Sequence, residues 1–213
     1  MTLLGAAEIR GIAAKLNLRP SKGLGQNFVI EPNACRKIVN EIGLNGTETV
    51  LEIGPGLGSL TLAILETGAE VIAVEIDSRL AAELPITVKR HNFDSKLTVI
   101  NQDALTIEVL PKDPQYLIAN LPYNVSVPVL LNVLEKFPTI EKGIVMVQSE
   151  VADRLCAKPN SKDYGVPSIK VSWWANTENA GMVSRKIFWP IPNVDSKLVK
   201  FERHAEPNFN RQK

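Results

Sequence analysis

Apolar and polar positions alternate in short blocks along the chain, and the blocks switch between two periods. TVLEI (49–53), EVIAVE (70–75), LTVIN (97–101), YLIAN (116–120) and GIVMVQ (143–148) are short and rich in β-branched residues, so they read as strands. The segments between them are helix-like. Strands alternating with helices specify a parallel, doubly wound α/β sheet. Two later runs, PSIKVSWWA (167–175) and DSKLVKFE (195–202), also alternate; joined through the proline-rich FWPIPNVD, they are predicted as strands, antiparallel at an edge. No internal repeat and no low-complexity linker interrupts this order.

The turn after the first strand, Gly54-Pro-Gly-Leu-Gly58, leads into a helix expected from about Leu57. It sits at the carboxyl edge, where open α/β sheets bind their ligands. A dinucleotide fingerprint would continue G-x-G-x-x-G, yet the sixth position is Ser59 and the third glycine arrives one residue early at Gly58. The pyrophosphate signature therefore fails. Bare backbone at Gly54 and Gly56 suits a flat, weakly charged ligand such as a nucleoside, with a tight strand-to-helix turn as the plain alternative. The next strand ends in Glu75, followed by Asp77, and a carboxylate there can accept both hydrogens of a ribose diol. After the third strand, Asp103 in NQDAL can accept from an adenine amine. Either acid alone reads as a solvated charge or a helix cap; with the glycines they outline a nucleoside pocket.

The fourth strand ends in NLPYN, Asn120 to Asn124. A purine's exocyclic amine is a poor nucleophile because its lone pair is delocalised into the ring. A catalyst should accept both N–H bonds and so favour a pyramidal nitrogen. The side-chain oxygen of Asn120 and the backbone oxygen of Leu121 are two such acceptors on a stretch stiffened by Pro122, and Tyr123 offers a ring for the base to stack upon.

Composition bounds the setting. The chain has 213 residues, 45% hydrophobic and 22% charged, enough for one soluble domain with a full core or a domain plus a small appendage. No apolar run approaches the ~20 residues of a membrane helix, and the N-terminus lacks a signal peptide's layout, so a cytoplasmic protein is expected. Cys35 and Cys156 have no CxxC partner and read as buried free thiols rather than metal ligands. The net charge is +1, but residues 1–40 and 185–213 each carry +4, which leaves −7 for the middle. The basic ends, including Arg10, Lys15, Arg19, Lys22, Lys186, Lys197 and Lys200, form either a phosphate-facing rim or a scatter of solvated charges.

GLGQNFVIEP, VLEIGPGLGSLT, VIAVEID, INQDAL, NLPYNVSVP, VQSEVADRL, KPNSKDYGVPS and IFWPIPNVDSKLVKFE stand in this order along nearly the whole chain. Together they resemble the small-subunit ribosomal RNA adenine N6,N6-dimethyltransferases. The resemblance implies a Rossmann-like S-adenosylmethionine-dependent methyltransferase fold, a mostly parallel seven-stranded sheet with an antiparallel edge strand. It implies cosubstrate contacts from Asn27, Val29, Gly54, Gly56, Glu75, Asp103 and Asn120, and a target-base pocket from Asn120, Leu121, Pro122, Tyr123 and Phe188. Phe188 is expected to close over the adenine opposite Tyr123; a core phenylalanine beneath the loop is the plain alternative. RNA contacts are expected from Arg19, Lys22, Lys186 and Lys197, and no metal.

The implied substrate is a pair of neighbouring adenosines in small-subunit (16S) ribosomal RNA, met in the pre-30S particle during assembly by a monomeric enzyme. Leu24 replaces a usual aromatic and Asn193 a usual lysine, which puts one RNA contact in doubt. Residues 1–205 are expected to form the catalytic domain, with residues 1–30 an N-terminal helix and a cosubstrate- and RNA-contacting segment. Residues 206–213 are expected to begin a tail or a small helical domain. Two competing readings are a large-subunit adenine methyltransferase of the macrolide-resistance type and a non-catalytic RNA-binding assembly factor.

Overall fold

A computed structural model describes residues 3–18 and 27–205. The chain runs α1 (Ala6–Lys15), β1 (Phe28–Val29), α2 (Pro32–Asn40), β2 (Thr49–Ile53), α3 (Ser59–Glu66), β3 (Glu70–Glu75), α4 (Ser78–Arg90) and β4 (Leu97–Asn101). It continues through β5 (Tyr116–Asn120), α5 (Ser126–Lys136), β6 (Lys142–Gln148), α6 (Ser149–Cys156), α7 (Val166–Trp174), β7 (Ala175–Val183), β8 (Phe188–Trp189) and β9 (Ser196–Arg203). Seven strands form one sheet in the order β4-β3-β2-β5-β6-β9-β7, while β1 and β8 pair as a separate antiparallel ribbon.

The five strands read from the sequence all form, and β2, β3, β4, β5 and β6 are mutually parallel. The antiparallel pairing lies at the far margin, where β9 runs against both β6 and β7. From residue 50 to 53 every β2 side chain is buried, as expected for a central strand covered by helices on both faces. One core gathers Ile9, Ile38, Leu60 and Leu84 on the face of α1 to α4; the other gathers Leu130, Val133, Leu155 and Phe201 on the face of α5 to α7. Chain order reverses between β2 and β5, so the strand ends diverge there and leave a crevice.

Two elements depart from the sequence reading. PSIKVSWWA is helix α7, not a strand. Pro167 stands in its first turn, Ser168 Oγ accepts from the Gly165 N–H at 3.1 Å and donates to the Arg154 carbonyl, and Ser168 and Val171 are buried one turn apart. An alternating run this short also satisfies a three-residue spacing, and the cap decides between them. The strand that follows, β7, had no apolar signal because it lies at the sheet's margin, bonds only to β9 and is mostly exposed, with an irregularity between Asn179 and Gly181. The helix expected from Leu57 begins two residues later, after Gly58 at φ 99°.

Neither thiol is cross-linked. Cys35 is fully buried, which pushes its thiol up to about 12, and Cys156 is half-buried. Among the described residues no helix is long and apolar enough to cross a membrane.

Candidate active site

Strand β2 delivers the glycine turn to the crevice. Gly54, Gly56 and Gly58 take φ of 67°, 59° and 99°, the left-handed region that disfavours side chains. The turn is also crowded: a Cβ on Gly56 would come within 3.0 Å of the Phe28 ring, and one on Gly58 within 2.8 Å of Leu84. The glycines thus serve packing as well as ligand access.

Glu75, at the end of β3, is 5% exposed, and both of its oxygens are engaged by main-chain donors. Oε2 accepts from the Gly56 N–H at 3.1 Å and Oε1 from the Asp77 N–H at 2.9 Å. Burial raises its carboxyl above the ordinary range, and the backbone donors offset part of that. The carboxylate is therefore fixed in orientation, with the second lone pair of each oxygen left for a diol. Asp103 is held similarly, Oδ1 accepting from the Leu105 N–H at 2.9 Å.

Asn120 ends β5. Its Nδ2 donates to the Asn27 carbonyl at 3.0 Å, which assigns the amide orientation because only the NH2 end can pair with a carbonyl. The Oδ1 end is left as the acceptor.

These residues surround one cavity of about 240 Å3, which brings together Asn27, Val29, Gly54, Gly56, Glu75, Asp103, Asn120 and Pro122. Several lining residues escaped the sequence reading, Ile76, Leu105, Phe28 and Glu52 among them. Ile76 and Leu105, 53% and 40% exposed, each stand one or two residues after an acid at a strand end and offer apolar faces to a flat ring. Phe28 closes the wall over the glycine turn. Glu52, 1% exposed, carries an Oε2 with no hydrogen-bond partner, and burial above all pushes its carboxyl up to about 8. The neighbouring Glu75 charge adds to that shift. The Thr61 hydroxyl opposes it without reaching good hydrogen-bond geometry, since its Oγ1 is likewise unpartnered. A paired sequence signal existed for Ile76 and Leu105, an apolar residue just past each acid. None existed for Glu52, which looks like one polar position in a strand.

The target-base side differs from expectation. Leu121 has its side chain in the core, which leaves its backbone oxygen, the acceptor expected of it, as its contribution. Tyr123 is half-buried, its hydroxyl 2.7 Å from Ser196 Oγ. Phe188 does not close over the cavity: it is 1% exposed and packed in the core. The reason is strand alternation. Phe188 and Trp189 make up β8, and successive side chains of a strand point to opposite faces. Trp189 stacks on Phe28, ring centroids 6.2 Å apart, and Phe188 turns inward.

The basic rim also needs correction. Lys197 donates to both Asp153 oxygens at 2.6 and 2.8 Å and its side chain is only 18% exposed, so its charge is already satisfied. Lys15 pairs with the buried Glu83 at 3.1 Å, and Lys200 lies 3.9 Å from Glu178. Arg10 and Lys186 are exposed. Arg19 and Lys22 lie outside the described residues, as do residues 206–213. Among the described residues no group of three or more His, Cys, Asp or Glu could hold a metal ion.

Residues 16–213 match the sequence profile of a family described as ribosomal RNA adenine dimethylase. The chain is 56% identical over 207 residues to ribosomal RNA small subunit methyltransferase A of Leifsonia xyli subsp. xyli, covering 96% of this chain and 74% of that protein. It is 54% identical over 208 residues to the protein of the same name from Streptomyces griseus subsp. griseus, covering 96% and 72%. Among solved structures it resembles a dimethyladenosine transferase from Plasmodium falciparum, with TM-score 0.73 and 31% identity over 82% of this chain and 62% of that one. It also resembles the 23S rRNA methyltransferase ErmE, with TM-score 0.70 and 31% identity over 85% and 71%.

Proposed function

The chain belongs to the ribosomal RNA adenine dimethylase family, and from that premise we propose the residues and steps by which it methylates its RNA. It is an S-adenosylmethionine-dependent rRNA adenine N6,N6-dimethyltransferase that acts on two adjacent adenosines of small-subunit rRNA. The residues fit the cosubstrate. Glu75 has two preset oxygens for a ribose diol, Asp103 a fixed carboxylate for an adenine amine, and the turn at Gly54 and Gly56 presents bare backbone. The orphaned, cavity-lining Glu52 adds an unused polar group for the cation's methionine portion. Bound there, S-adenosylmethionine supplies an electrophilic methyl group.

The chain's own part is to bind, orient and accept. Asn120 Oδ1 and the Leu121 carbonyl accept the two N–H bonds of the flipped adenine's amine and withdraw its lone pair from the ring. Such preorganised acceptors act where charge develops, so they hold the amine more strongly in the transition state than in the ground state and lower the barrier. Tyr123 gives the base a stacking face, worth about 1–3 kcal/mol per base. The proton released from nitrogen passes to water, and no acidic base is needed.

The observation that carries this reading is the Asn120 amide, committed through Nδ2 to the Asn27 carbonyl so that its oxygen is the free end. The likeness to ErmE keeps the large-subunit reading in view, but 31% identity there stands against 56% to a small-subunit enzyme. The test is transfer of labelled methyl to undermethylated small subunits with the modified nucleotides mapped. Two adjacent dimethyladenosines support the reading, and modification confined to large-subunit RNA or none at all removes it. We further take the working partner to be the pre-30S particle, met by a monomer in the cytoplasm.

A further inference from the structure

Tyr123 has a hydroxyl that stacking does not explain. Any aromatic face stacks on a base, and phenylalanine would do so without a polar atom to satisfy. In this fold the hydroxyl lies 2.7 Å from Ser196 Oγ, a residue 73 positions later in the chain. Ser196 opens β9, and because β9 runs antiparallel to β6, its first residue arrives at the edge where β5 and β6 end.

Ser196 is fully buried and held from both sides. Before it, the Asp195 carbonyl accepts from the Ser149 N–H at 2.9 Å, and the Asp195 carboxylate meets Arg185 Nε at 3.1 Å. After it, Lys197 is clamped to Asp153. Strand pairing fixes Ser196 opposite Gln148 on one side and Val183 on the other. Its hydroxyl is therefore a rigid post, tied to the sheet rather than to the loop that carries Tyr123.

We propose that Ser196 is a positioning residue for methyl transfer, which holds the Tyr123 hydroxyl and so fixes the rotamer, and with it the place, of the ring against which the target adenine stacks. The proposal rests on the reading of Tyr123 as the stacking face. A ring free at its far end swings between staggered χ1 rotamers, whereas one held at the para oxygen keeps a single χ1 rotamer. A displacement of about 1 Å in a reacting group can cost up to ~100-fold in rate, so a modest loosening is visible in turnover. Burial raises the Tyr123 phenol above its ordinary range, so it stays protonated near neutral pH and the hydrogen bond is intact there.

The experiment measures kcat and KM for undermethylated small subunits at saturating S-adenosylmethionine, with the wild-type chain and Ser196→Ala, Tyr123→Phe, the double variant and Tyr123→Ala. Ser196→Ala and Tyr123→Phe should each lower kcat by about three- to tenfold with KM within about twofold, and the double variant should fall no further than the worse single, because both remove one interaction. Calorimetric affinity for S-adenosylmethionine and Tm should stay at wild-type values. Losses that multiply in the double variant, wild-type turnover in Ser196→Ala, or a Ser196→Ala loss matched by a fall in Tm would each overturn the proposal. Tyr123→Ala should lose more than either single. If it keeps wild-type turnover, the stacking reading fails by itself, an outcome distinct from failure of the Ser196 role alone.

Discussion

Glu75, in the wall of the cavity, and Tyr123, on the loop that follows Asn120 and Pro122, are held by opposite means. Glu75 is fixed by main-chain N–H groups two and nineteen residues away, on the strand-end turns beside it. Asp103 follows the same rule with a donor two residues on. Tyr123 depends on a side chain 73 residues away, and Asn120 on a carbonyl 93 residues away. The proposed cosubstrate side is thus assembled by neighbouring strand-end turns. The proposed target side exists only when β1, β5, β8 and β9 have come together. Damage on the first side should stay local and be read as lost affinity. Damage on the second should spread into rate or stability.

The largest expected effect tests that spread. Phe188→Ala, at the join of β8 with the core, should destabilise the fold by about 3–5 kcal/mol in denaturant titration, the range for deleting a fully buried aromatic ring. A variant that stays fully stable yet inactive would restore Phe188 to the target base and break the comparison. Next comes Asn120→Ala, which should lower methyl transfer by about 100- to 1,000-fold, as for loss of one preorganised transition-state partner, while calorimetric affinity for S-adenosylmethionine changes little. Equal losses in rate and affinity would place Asn120 on the cosubstrate side instead.

A smaller and more local effect is expected from Glu75→Ala. Affinity for S-adenosylmethionine should weaken by about 1.5–3 kcal/mol, the range for hydrogen bonds to a charged group, with turnover at saturation largely spared. Unchanged affinity would remove the ribose assignment. The smallest effect separates two lysines that the sequence ranks alike. Lys186→Ala should reduce the slope of log affinity for a small-subunit RNA fragment against log salt by about 1. Lys197→Ala should leave that slope nearly unchanged, because Asp153 already neutralises it. Equal slopes for the two variants would mean that the ion pair opens on RNA.

The same division explains what was legible in the sequence. Glu75, Asp103 and the glycine turn line one cavity, and their place at it is legible because each is local: an acid or a glycine at or just after the end of a β-branched run, at the edge where ligands bind. Phe188 was misplaced because its motif fixes a position in the chain and not a side of the strand, and one residue of alternation separates core from crevice. Helix α7 was misread because Ser168 and Val171 fit either period, with the cap at Gly165 visible only in three dimensions. Strand β7 left no mark because a polar edge strand needs no apolar pattern. Lys197 looked free because its partner Asp153 is 44 residues upstream, on another element. Glu52 showed nothing of its burial, since one acid inside a strand carries no sign of which face it takes.

In the role proposed for Asn120, its fixed amide would also decide which nucleobase is welcome. Its donor end is spent on the Asn27 carbonyl, so what it presents is a lone pair, a polarity that cannot be reversed by a flip without breaking that bond. An amine at purine C6 meets it as donor to acceptor. A carbonyl at the same carbon, as in guanine or inosine, would set oxygen against oxygen and leave both desolvated and unpaired, a penalty on the order of 1–3 kcal/mol per group. The rejection would operate at admission, before any chemistry. An RNA fragment with inosine at the target positions should accordingly compete more weakly than the adenosine fragment for the wild-type chain, and that gap should close in Asn120→Ala.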